Sequence, residues 1–119
     1  MEGTLKRETM KTLHLNLKQR WFDMILSGEK TEEYREVKPY WIRRLLHYDW
    51  QDNDGIFVDN GQEVEFDTIT FKNGYSKDAR KMVISYKGVR IGNTKEGWSD
   101  RYQTEVFVIS LGKILEIKP

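Results

Sequence analysis

The strongest chemical signal in this sequence lies in one octapeptide, Gly28-Glu29-Lys30-Thr31-Glu32-Glu33-Tyr34-Arg35. It brings together an ammonium (Lys30), a hydroxyl (Thr31), a carboxylate (Glu33) and a guanidinium (Arg35). As recognition groups, Arg35 offers a planar fork and Lys30 a point charge to phosphate or base edges. Glu33 accepts from an exocyclic amine or a ribose hydroxyl. As catalytic groups, a lysine desolvated beside an arginine can act as a base, and Glu33 can shuttle a proton. The same side chains can also form a purely structural ion-pair network. A Lys-Glu-Arg run in a chain that is 33% charged is ordinarily a solvated face.

The flanking elements determine how these groups are held. Trp21, Phe22, Ile25 and Leu26 make one apolar stripe and predict a helix over about residues 18–27, with Lys18, Gln19, Arg20 and Asp23 off the stripe. Gly28 is suited to end it, because a residue without Cβ enters the left-handed C-cap conformation cheaply. An extended segment over 31–36 then sends Thr31, Glu33 and Arg35 to one face and Glu32 and Tyr34 to the other. Lys30, in the turn, can reach over the first face.

Before the helix, Thr12 to Leu17 alternates as a strand, with Leu13, Leu15 and Leu17 inward and His14 and Asn16 outward or in a cleft. After the motif, Lys38-Pro39 opens a second helix to about His47. Its buried stripe is Trp41, Ile42, Leu45 and Leu46, and its open side carries Tyr40, Arg43, Arg44 and His47. Gly28, Lys30, Thr31, Glu33 and Arg35 are therefore the ligand-binding candidates, with Lys18, Arg20, Tyr40 and Arg43 as secondary ones. If the site is catalytic, Lys30 and Glu33 carry the chemistry. Tyr40, Tyr48, Trp50 and Trp98 sit where a ring can stack on a base; Trp21, Phe22 and Trp41 are expected in the core.

The second half reads as β-rich. Residues 49–61 are a loop by composition, and Asp52-Asn53-Asp54 lacks the ligand register of a calcium loop relative to Gly55. Phe66 to Lys72 alternates and meets a two-residue hairpin signal at Asn73-Gly74, answered by Lys81 to Arg90, where Gly88 is expected to permit a bulge or bend. A polar loop over 92–104 carries Trp98 and Arg101. Val106–Leu111 and Ile114–Ile117 close the sheet, with Gly112 expected to kink the chain between them. The expectation is an α+β protein: a small β-barrel of five or six mostly antiparallel strands, with two helices in the N-terminal half. Residues 1–10 read as a frayed tail and 11–119 as one domain.

Bulk properties narrow the function classes. Net charge is +1, so whole-molecule charge does not argue for nucleic acid, but its distribution is uneven. Residues 1–48 hold ten bases and seven acids, 49–67 no base and seven acids, and 68–119 ten bases and five acids. A polyanion would be met by a local patch. There is no cysteine, so disulfides and thiolate metal sites are excluded. His14 and His47 are the only histidines and lie on different elements, which argues against a metal cofactor. There is no serine nucleophile elbow and no Gly-rich phosphate loop. No apolar run resembles a signal peptide or a membrane span, so the expected location is cytoplasmic.

Gly28, Lys30, Glu33 and Arg35 match G-x-K-x-x-E-x-R, and the chain resembles the ASCH domains, a branch of the PUA-like β-barrels. The resemblance extends through Leu13-His14-Leu15-Asn16-Leu17, through Trp21 to Ser27, and through Val106 to Ile114. It implies an RNA- or nucleotide-binding module whose motif lines a cleft between the first helices and the barrel. It also raises a hydrolase alternative, acting on RNA or a modified nucleoside. In the family's acetylcytidine amidohydrolases the catalytic lysine corresponds to Lys30, and a catalytic threonine follows three residues later, where this chain has Glu33. That departure removes the hydroxyl nucleophile. A protein-interaction domain with a structural ion-pair cluster is the third possibility.

Overall fold

A computed structural model describes the backbone of residues 10–52 and 55–119, and the side chains of 10–47 and 62–119. The expected tail over 1–10 lies outside these residues except for Met10, as do Asn53 and Asp54 and the side chains of Tyr48 and Trp50. In chain order the elements are β1 (Thr12–Leu17), α1 (Gln19–Leu26), β2 (Glu32–Arg35), α2 (Pro39–Leu45), β3 (Leu46–Asp52), β4 (Gly55–Glu63), β5 (Thr68–Asn73), β6 (Lys81–Gly92) and β7 (Val106–Lys118). Five strands are hydrogen-bonded in the order β1-β5-β6-β7-β2, and β3 and β4 form a separate antiparallel pair. The β1–β5 pairing is parallel; the β5–β6 and β2–β7 pairings are antiparallel. The class is α+β with a mostly antiparallel sheet, and both helices lie in the first half, as the sequence predicts.

The chain divides into two compact units, each drawing on discontinuous segments. One comprises the residues up to Thr31, Phe66–Lys87 and Leu111–Pro119; the other comprises Glu32–Glu65 and Gly88–Ser110. β6 and β7 each contribute to both.

In the first unit, the inward rows of three strands meet one face of α1. Leu13, Leu15 and Leu17 of β1 are buried, as are Ile69 and Phe71 of β5 and Met82 and Ile84 of β6. Trp21, Phe22 and Ile25 supply the helix side of this core. Each such side chain contributes about 1.5–3 kcal/mol of apolar burial, which offsets the ordering of an eight-residue helix that has no side-chain N-cap. In the second unit, Val106 to Ile109 are all buried, with Tyr34, Val106 and Val108 packed together against Trp98.

Three expectations are corrected. The described residues contain seven strands rather than five or six, because the stretch read as loop over 49–61 lies within a β-hairpin over 46–63. Polar composition there masked two β-rich cores, His47-Tyr48-Asp49-Trp50 and Ile56-Phe57-Val58. This also ends α2 at Leu45, with only Leu45 of the expected stripe fully buried. The connection after β5 is not a two-residue turn: the Asn73 N–H donates to the Arg80 carbonyl at 3.0 Å, so residues 74–80 make a wider loop. Gly112 does not break the last strand. β7 runs through it unbroken, and the glycine serves a close approach: a Cβ there would lie 2.1 Å from the Ser85 hydroxyl oxygen. That hydroxyl accepts the Lys113 N–H at 3.0 Å.

Candidate functional site

The motif begins where α1 stops. Ser27 is the C-cap, and Gly28 follows with φ +89°, a conformation that a side chain would strain. The chain then folds back on the helix end. The Lys30 N–H donates to the Met24 carbonyl at 3.0 Å, and the Ser27 hydroxyl donates to the same oxygen at 3.0 Å. This turn drives Lys30 inward, leaving it only 1% exposed. Its ammonium lies 5.3 Å from the centre of the Trp21 ring, and the exposed Arg20 guanidinium lies 4.5 Å from that same ring. Trp21, read from sequence as plain core, is therefore also the aromatic partner of a buried cation.

Gly28, Lys30 and Thr31 line one cleft of about 340 Å³, whose walls include Ile25, Ile84 and Lys113. The Thr31 side chain is exposed, and its carbonyl accepts the Leu111 N–H at 3.1 Å. A lysine lining a cleft beside the apolar side chains of Ile25 and Ile84 suits a flat ligand that carries an anionic or carbonyl oxygen.

In the other unit, the alternation of β2 sorts its charges into two networks. On one side, Glu33 and Arg35 are ion-paired through Oε2 and Nη1, and Nη1 also donates to the Tyr34 carbonyl at 2.7 Å. The Arg35 guanidinium sits 5.2 Å from the Trp41 ring centre, and Arg44 lies 5.6 Å from it. Arg44 also donates to the Tyr40 hydroxyl at 3.0 Å, and Tyr40 meets Trp41 edge-on. On the other side, the Tyr34 hydroxyl donates to Glu32 at 2.9 Å and accepts the Lys95 N–H at 3.0 Å. Arg90 reaches the second Glu32 oxygen at 3.2 Å. Burial raises the Tyr34 pKa above the usual phenol range; the Lys95 N–H opposes this and the Glu32 carboxylate reinforces it.

Of the predicted site residues, the structure therefore brings Gly28, Lys30 and Thr31 to one cleft and pairs Glu33 with Arg35. Of the secondary candidates, Arg20 joins Lys30 at Trp21, and Tyr40 joins the Trp41 cluster; Lys18, the N-cap of α1, and Arg43, on α2, are exposed. Sequence reasoning missed the part played by Trp41. Its place on an apolar stripe hid it, and no sequence spacing joins a strand arginine to a ring on the following helix. Among the described residues, no three or more histidine or acidic side chains gather as metal ligands, and no helix is long and apolar enough to cross a membrane.

No family model, curated protein or solved structure matches this chain.

Proposed function

We propose that this protein is a cytoplasmic ASCH-type module, with a PUA-like barrel, that binds RNA or a nucleotide-like ligand through the residues of its G-x-K-x-x-E-x-R motif. The observation that carries the reading is the burial of Lys30. A lysine that is 1% exposed is rare, and this one lines a cleft together with Gly28 and Thr31, its neighbours in the motif. The ammonium, held against Trp21, suits a phosphate or carbonyl oxygen on a ligand whose ring packs on Ile25 and Ile84. Within the other unit, Arg35, held by Glu33 and Trp41, offers a planar donor of the kind that suits phosphate or a base edge.

A second reading has its own observation. Glu33 and Arg35 pair with each other, as a structural ion-pair cluster in an interaction domain would require. Titrating tryptophan fluorescence with nucleotides and short single-stranded RNAs separates the two. The binding reading expects saturable quenching that weakens at least tenfold in Lys30→Gln, with the far-ultraviolet circular dichroism unchanged. With a net charge of +1, affinity should fall only shallowly with salt, reflecting few phosphate contacts. Equal quenching by Lys30→Gln and the parent would remove Lys30 from the binding site.

A further inference from the structure

The outward face of the sheet in the first unit carries a second concavity, of about 230 Å³, lined by His14, Leu15, Asn16, Thr70, Lys72 and Lys81. Its charge arrangement is unusual for a β-sheet. Register places Asn16 beside Lys72, and Lys72 directly opposite Lys81 on the neighbouring antiparallel strand. Both lysines therefore project from the same face in one cross-strand row, and both are half-buried. Like charges in directly opposed positions destabilise strand pairing. No carboxylate among the described residues lines the groove. Arg80, the next cation along the chain, is turned to Asp23 and Asn73 at 2.8 and 3.0 Å.

We infer that this groove is a binding site for a phosphate oxyanion, whose charge offsets the repulsion between Lys72 and Lys81. Two ammonium groups act as point charges toward a tetrahedral, multiply charged anion. A planar carboxylate is better matched by the guanidinium fork, which the groove lacks. Asn16, Thr70 and His14 add polar lining, and the opposed pair of lysines makes phosphate the group this groove reads. The phosphate can come from a free monoester or from the backbone of a single-stranded RNA. None of the motif residues lines this groove, so its fate is independent of the cleft beside Lys30.

The test uses the full chain, labelled with ¹⁵N, titrated with inorganic phosphate and with sodium chloride at matched ionic strength. The amide signals of Thr70, Phe71, Lys72, Lys81 and Met82 should move saturably in phosphate and stay in place in chloride. Lys81→Gln should weaken that response at least tenfold. Lys72→Glu, which sets opposite charges across the row, should melt higher than the parent in phosphate-free buffer and lose the gain in melting temperature that phosphate gives the parent. A short single-stranded RNA that displaces phosphate at these signals assigns the diester backbone; RNA that leaves them untouched assigns a free phosphate ester. Movement that is the same in chloride as in phosphate overturns the inference. So does a Lys72→Glu variant that gains from phosphate as much as the parent.

Discussion

The Glu33 carboxylate and the Arg35 guanidinium, two residues apart on a four-residue strand, face the same side and are ion-paired there. Side-chain exposures of 8% and 16% place the pair out of bulk water, where removing one partner strands the other.

Glu33→Gln should therefore cost about 3 kcal/mol of unfolding free energy, the lower end for breaking a buried pair, because Trp41 still faces the guanidinium. Arg35→Lys keeps the charge and loses the planar geometry that meets both Glu33 and the Tyr34 carbonyl; it should cost about 1 kcal/mol. Urea unfolding at pH 7 measures both. A Lys variant as destabilised as Glu33→Gln would mean that fork geometry, not charge, holds this strand.

Tyr34 should make stability fall at alkaline pH. Its folded pKa is raised by burial, so its contribution is fully present below the unfolded value of about 10 and is lost as pH rises through the folded value. Melting temperature followed from pH 8 to 12 should decline beyond pH 10 in the parent and decline less in Tyr34→Phe. At pH 7 the same variant should lose about 1–2 kcal/mol, since Glu32 and the Lys95 N–H each lose a partner. An ultraviolet difference titration should find Tyr34 ionising above the usual phenol range, a late phase that Tyr34→Phe removes.

Gly112→Ala should destabilise by about 1–3 kcal/mol, as overpacking does, because the added methyl meets the Ser85 oxygen on the adjacent strand. Ser85→Ala removes that oxygen and with it the acceptor for the Lys113 N–H. The double variant should be more stable than the sum of the two single losses implies, by about 1 kcal/mol in a double-mutant cycle. Simple additivity would place the cost of the alanine elsewhere.

Acetylcytidine should not be hydrolysed. The threonine route needs a hydroxyl three residues after Lys30, and that position is the carboxylate of Glu33, already ion-paired with Arg35. Chromatography of the nucleoside after incubation with the protein is expected to show no deacetylated product. Turnover that vanishes in Lys30→Ala would assign the catalytic role to this site after all.

Much of the architecture was legible because it rests on strong periodicities. The inward leucines of β1, the stripe of Trp21, Phe22 and Ile25, and the alternation of Glu33 with Tyr34 are local patterns, and the fold obeys them. What composition hid was strand formation between polar side chains. Asp49, Gln51 and Asp59 made 49–61 read as loop, although strand pairing depends on backbone hydrogen bonds and on the interleaved aromatic and β-branched residues. The close neighbour of Gly112 was hidden for a different reason. A glycine in a strand signals either a bend or a close neighbour, and only the partner strand shows which. The Gly28 turn was visible in sequence; the contact of Trp41 with Arg35 was not, because no local rule joins a strand residue to a ring on the next helix.

The parallel pairing of β1 with β5 has a consequence for how the chain is made. Thr12 and Thr68, joined through their hydroxyls at 2.8 Å, are 56 residues apart. At synthesis rates of roughly 5–20 residues per second, the first strand leaves the ribosome roughly 3–11 s before its partner. During that interval Leu13, Leu15 and Leu17 have only the adjoining α1 to cover them, so the nascent chain exposes an apolar strand face. Folding of this unit should be slow for its size, set by the closure of a long loop and not by helix formation. A circular permutant that opens the chain in the 74–80 loop and joins the original ends would change the order in which these strands emerge. Its refolding rate, compared with the parent's, would report how much of the barrier is topological.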